Sequence, residues 1–151
     1  MAQRSIADLA AKMKDIDFAV LSTHAANSAI AGRPMSNNRN VEYDGDSWFF
    51  ASQDSHVVPQ IEADPVVSLS YQGSSGIIGQ RPFFLTVEGR GSIVRDKAQF
   101  AEHWDKDVER YFPDGIDSPD LVLIKVHAER LHYWDGEEEG EVSLGTGAGA
   151  A

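Results

Sequence analysis

The chain has 151 residues, a length for one domain, and 42% of them are apolar, enough for a core. A net charge of −11 and a pI near 4.7 repel phosphate backbones and anionic lipid, so nucleic-acid and membrane partners are not expected, and no apolar run reaches the roughly 18 residues that a spanning helix needs. The absence of cysteine excludes disulfides, thiolate metal sites and cysteine nucleophiles, and fits a cytoplasmic location.

Ile6, Leu9, Ala10 and Met13 recur at helical spacing and predict an amphipathic helix over about residues 4–15, started near Ser5 or Arg4 with Asp8 favouring the dipole. Met1 to Ser5 lead into this pattern and not into a continuous apolar region, so no signal peptide is expected. Residues 17–23 read as a strand, Asn27-Ser28-Ala29 as a turn, and residues 30–43 as a second strand ending in the hairpin signal Asp44-Gly45-Asp46. Trp48 to Ala51 form the third strand. A helix follows, capped near Ser55 or His56, with Pro59 in its first turn and Asp64-Pro65 as its stop.

Residues 66–71 read as a fourth strand, 72–80 as a loop or ragged strand end, and 83–94 as a long fifth strand in which Gly89 and Gly91 suggest a bulge or bend. Asp96 with Gln99 resembles a capping box, and Phe100, Trp104, Val108 and Tyr111 form the stripe of one helix that breaks at Phe112-Pro113-Asp114-Gly115. A sixth strand opens at Leu121 and runs toward Trp134. The predicted domain covers residues 1–135. Residues 136–151, with Glu137, Glu138, Glu139 and Glu141 and then a Gly/Ala run, are expected to be a flexible tail. The pattern predicts an α+β, mainly β fold: a six-stranded antiparallel split barrel with flanking helices.

Arg33 carries a rigid fork suited to phosphate, although a surface ion pair is the ordinary fate of such a residue. Pro34 fixes the chain beside it, Met35 offers a soft contact to a flat ring, and Ser36, Asn37 and Asn38 add polar groups. Ser52, Ser55 and His56 lie where a strand passes into a helix start, whose open amides and dipole suit an anion; simple capping by Ser55 is the alternative. Trp48 and Phe50 share one strand face and Phe49 takes the other. Backbone at Phe49, Phe50 and Ala51 can bond the edge of a flat ring with alternating donors and acceptors. Trp104 and Trp134 are core residues or walls of a ligand site at a subunit boundary. Together these suit an anionic ligand with a flat apolar body, such as flavin mononucleotide (FMN). The five histidines show no metal spacing, and His127 and His132, five apart on a strand, are expected on opposite faces. Gly73, Gly76 and Gly79 make no dinucleotide fingerprint, and no nucleophile elbow surrounds Ser22-Thr23-His24.

Arg33-Pro34-Met35, Asp44 to Ser52, Ser55-His56, Ile61 to Val66, Asp96-Lys97-Ala98, His103-Trp104, Tyr111 to Gly115, Ser118 to Leu121 and Tyr133-Trp134-Asp135 occur in this order along the chain. The ordered set resembles the general stress proteins of the pyridoxamine 5′-phosphate oxidase-like group. The resemblance implies an FMN-binding split barrel and a homodimer with the flavin between subunits; FAD is the alternative nucleotide. It assigns flavin contacts to Arg33, Met35, Ser36, Phe50, Ser52, Ser55 and His56, with Trp104 and Trp134 more loosely. Relatives often carry lysine where this chain has Val57, which removes one phosphate-neutralising group. True pyridoxamine phosphate oxidases carry a basic C-terminal segment. Here that segment is acidic, which argues against vitamin B6 synthesis. A flavin-dependent oxidoreductase and a non-catalytic binding protein both remain open.

Overall fold

Ser5 opens helix α1 (Ile6–Met13) with a reciprocal cap: its hydroxyl accepts from the Asp8 amide at 3.2 Å, and the Asp8 carboxylate accepts from the Ser5 amide at 2.9 Å. The computed structural model, which describes residues 4–37, 43–75 and 81–144, continues with β1 (Phe18–His24), β2 (Ile30–Ser36), β3 (Asp46–Ser52), α2 (Val57–Ala63), β4 (Val66–Ser75), β5 (Arg81–Val94), α3 (Lys97–His103), β6 (Leu121–Asp135) and β7 (Glu138–Ser143). The strands form one antiparallel sheet in the order β2-β1-β4-β5-β6-β3, with β7 added to β6. β6 is the hub: β5 pairs along most of it, β3 takes its first half and β7 its second. The sheet curls on itself, and β2 and β3, each paired on one side, are left as the two lips of the split.

The inner face carries the core, including Leu21, Leu69, Leu85, Val87, Ile124, Leu131 and Tyr133, closed below by Leu9 and Met13 of α1. Alternation along β6 holds only with a phase change. Glu88 pairs with Arg130 but Gly89 with Ala128, so Glu129 is one extra residue on β6. A Cβ on Gly89 would lie 2.1 Å from the His127 carbonyl oxygen, so glycine is what allows this approach. The bulge predicted at the glycines is therefore present. It also corrects one expectation: with the phase shifted, Ala128 and Leu131 both face inward, and His127 and His132 share the outward face. A second apolar cluster lies outside β3 and β6, where Phe100, Leu121 and Leu123 meet Trp48, Phe50, Trp104 and Phe112.

Other expectations change. The second strand ends at Ser36 and not at Tyr43, because the Asn37 amide nitrogen donates to the carbonyls of Met13 and Ile16, each at 2.8 Å, and turns the chain under α1. The rest of that predicted strand over 38–42, with Asn38, lies outside the described residues, as do 76–80 and 145–151. The single helix expected from Phe100 to Tyr111 ends at His103; Asp105 accepts from the Asp107 amide at 3.0 Å and starts a separate 3₁₀ turn, Lys106–Arg110.

The six-strand count and the flexible tail from residue 136 are corrected by β7, which pairs with β6 through Glu138↔Asp135 to Ser143↔Arg130. Its acidic residues have partners: Glu138 with Arg4 at 2.8 Å, Glu139 with His132 at 2.7 Å, and Glu141 with Arg130 at 2.5 Å. Asp135, fully buried, meets Arg4 at 2.6 Å and Lys12 at 3.5 Å. Val142 packs on the core. The run thus joins the sheet, and Arg4, Lys12 and Arg130 offset part of its negative charge.

Candidate functional site at the split of the barrel

Arg33 lies on the lip strand β2 opposite Leu21 of β1. Its guanidinium turns to the inner side and donates to the Leu21 carbonyl at 3.1 Å, the Thr23 hydroxyl at 3.0 Å and the Gln60 side-chain carbonyl at 2.8 Å. The Thr23 hydroxyl, itself buried, donates to the same Gln60 oxygen at 2.7 Å. Among the described residues no carboxylate pairs with Arg33, so the surface ion pair is not what this arginine makes. Burial lowers its pKa from the ordinary value, yet a guanidinium stays charged. A cation held in place by neutral acceptors keeps its charge uncompensated, an arrangement suited to an anion.

Gln60 belongs to α2, and its amide donates to the His56 carbonyl at 3.3 Å. Arg33 therefore reaches the helix one turn beyond its start. The turn before that start is closed on itself. Ser52 Oγ donates to Asp120 Oδ2 at 3.0 Å and accepts from the Asp54 amide at 3.2 Å, while Ser55 Oγ donates to the Ser52 carbonyl at 2.6 Å. His56 occupies the cap position without a side-chain cap bond, so capping by Ser55 is not realised. The amide of Val58 is taken by the Ser55 carbonyl at 3.3 Å, and Pro59 has none. The two serine hydroxyls are committed, one of them to a carboxylate.

Between the lips opens a cleft of about 520 Å³, within the range of small-molecule sites. Pro34, Met35 and Ser36 line it from β2, Trp48, Phe49 and Phe50 from β3, and Val108, Tyr111 and Phe112 from the segment after α3. A far smaller space of about 30 Å³ between α1 and β3 has room for little more than a water.

Five residues expected at the site, Pro34, Met35, Ser36, Phe49 and Phe50, thus share one cleft, with Arg33 adjoining it in the chain. Ala51 continues β3 opposite Val122. Trp104 stands behind the wall, edge-on to Phe50 at 5.1 Å. Ser52, Ser55 and His56 form the turn into α2. Trp134 is placed apart, at the far end of β6, stacked on His132 at 4.0 Å. Sequence reasoning missed Thr23, Gln60 and Asp120, which hold the expected residues from distant elements, and the walls at Val108 and Tyr111, which it placed on a helical stripe, and at Phe112, which it placed in the break after it. The exposure of Tyr111 at the end of that stripe, 62% in the structure, has no local signature.

Residues 4–149 match the family model described as "Pyridoxamine 5′-phosphate oxidase like". The chain belongs to this family. Within reach of it is general stress protein 26 of Bacillus subtilis (strain 168), 27% identical over 137 residues that cover 88% of this chain and 94% of that protein. A protein from Clostridium acetobutylicum described as related to general stress protein 26 superposes with a TM-score of 0.75 at 18% identity, covering 92% of this chain and 94% of that one. A heme binding protein from Mycobacterium smegmatis superposes with a TM-score of 0.72 at 16% identity over 95% of this chain, which spans 60% of that longer chain. At these identities the structural likeness speaks for the fold: this family member shares the split barrel with proteins that carry different descriptions.

Proposed function

We propose that this protein is a homodimeric, cytoplasmic flavin-binding protein of the general stress type, taking FMN, with FAD as the alternative, and serving as a flavin-dependent oxidoreductase. One observation carries the reading: a charged guanidinium with only neutral partners stands at the lip of a cleft walled by aromatic side chains. The residues fit a flavin. Arg33 offers the phosphate a planar fork, while Met35, Phe49 and Phe50 offer the ring an apolar slot that excludes water. The bound flavin would supply electron transfer, and the chain supplies binding and environment. The outward face of the sheet supports the dimer, since Phe18, Val20, Ile30, Val66 and Phe84 lie there between 40% and 74% exposed.

A second reading, a binder with little or no turnover, draws on the phosphate side of the site. Val57 adds no cation after His56, and Ser52 is tied to Asp120. The test is a visible spectrum of the freshly purified protein followed by titration with FMN and with FAD, monitored by flavin fluorescence. Bound yellow chromophore or saturable quenching is expected; colourless protein that leaves flavin fluorescence unchanged overturns the flavin reading. Titration with hemin in parallel gives a Soret shift only if the chain takes haem instead. For the flavin-loaded protein, stopped-flow mixing with NADH or NADPH separates an oxidoreductase from a binder.

A further inference from the structure

Trp48 stands on the outward face of β3, where it packs against the second apolar cluster and lines the cleft. Its indole is stacked on the His103 imidazole, with ring centres 3.8 Å apart and planes 17° from parallel. Lys125, its neighbour across β6, places Nζ 5.4 Å from the indole centroid. His103 is the last residue of α3, and the next residue, Trp104, meets Phe50 edge-on at 5.1 Å. Two consecutive residues therefore grip the two outward aromatics of β3, alternate residues on one strand. Directly after the grip, the chain supplies a further wall of the cleft, Val108, Tyr111 and Phe112. Burial holds His103 below its ordinary pKa, with Glu102 and Asp44 acting in the other direction and Lys125 adding to the lowering. This lowering favours the neutral imidazole, the form that stacks flat without a charge to hydrate.

We propose that His103 is a positioning residue for the cleft: by stacking on Trp48 it fixes the separation between the β3 wall and the wall that follows α3, and with it the grip on a flat ligand. The flavin as that ligand rests on the function proposed above, whereas the clamp itself does not. The two are tested in one experiment. The chain has 3 tryptophans, so replacing Trp104 and Trp134 by Phe leaves Trp48 as the sole indole while keeping an aromatic ring in the grip. Into this parent go His103→Ala, which removes the stack, His103→Leu, which keeps bulk without it, and His103→Phe, which restores it.

In the ligand-free proteins, quenching of Trp48 fluorescence by acrylamide is expected to rise about two-fold in the Ala and Leu variants and to stay at the parental value in the Phe variant, since one aromatic pair separates the two sets. FMN affinity is expected to fall about five-fold in Ala and Leu and to return to within about two-fold in Phe. The Leu variant serves if Ala does not fold, and far-UV circular dichroism establishes folding for each. Unchanged Trp48 quenching in a folded Ala or Leu variant overturns the clamp, whatever FMN does. Failure of the Phe variant to recover the parental quenching overturns it as well. Quenching as expected, with a wild-type chain that binds no FMN, sinks the flavin reading and upholds the clamp.

Discussion

The chemistry of Arg33 depends on what surrounds it. A strand arginine in a chain with 24 carboxylate residues would ordinarily pair with one of them; here Thr23, Gln60 and the Leu21 carbonyl hold it and leave the charge for a ligand. Arg33→Ala is expected to weaken FMN binding at least ten-fold, roughly the worth of a charge-assisted hydrogen bond, while the remaining Thr23–Gln60 bond keeps the fold intact. Fluorescence titration with a thermal melt on the same sample checks both halves, and unchanged affinity removes Arg33 from the site. The buried phenols make a second prediction at this scale. Burial pushes Tyr71 up to about 12 and raises Tyr43 as well, with nearby acidic groups adding to the Tyr43 shift. The folded state holds these protons more tightly than the unfolded chain. The resulting stability is whole below the ordinary tyrosine pKa of about 10 and is lost as pH climbs through the folded value. Urea midpoints measured on either side of that window should therefore fall with rising pH, and the Tyr43→Phe/Tyr71→Phe variant should lose most of the slope.

Among the elements, the β5–β6 ladder shows how one residue controls many. Gly89 lets the strands approach at the bulge, and the bulge decides which side chains of β6 beyond it face the core. Gly89→Ala is expected to cost about 2–4 kcal/mol, since a methyl placed against backbone cannot be relieved by turning a side chain. Calorimetry should show the loss as a lowered Tm, and an unchanged Tm would mean the ladder shifts freely. The glycines announced this bulge in the sequence, whereas the strand that bears the extra residue, and hence the shared face of His127 and His132, was not legible. α1 was legible because its cap and its apolar spacing are local. β7 was not: composition alone reads its glutamates as solvated, and their partners Arg4, Arg130 and His132 come from other elements.

At the scale of the whole molecule, the outward sheet face sets the expected assembly. Phe18, Val20 and Phe84 sit on that face at 58%, 45% and 40% exposure, a patch that a second copy of the chain would cover. Val20→Glu with Phe84→Glu should turn a dimer into a monomer in light scattering, and FMN affinity should fall with it if the ligand lies between subunits. A wild-type chain that is already monomeric at micromolar concentration would remove the dimer. The sequence by itself determined the succession of the first six strands, the caps at Ser5 and Asp96, the turn at Gly45, the bulge and the arginine with its aromatic neighbours, because each is written in residues close together in the chain; the hairpin expected at that turn does not form, since β2 pairs with β1 and β3 with β6. Tertiary structure alone decided that β2 and β3 become the two lips of an open barrel, that Arg33 meets Gln60 instead of a carboxylate, that Trp48 leans on His103, and that Trp134 stands apart from the cleft. Those outcomes depend on sheet order and closure, which bring together residues tens of positions apart, and no local pattern encodes that meeting.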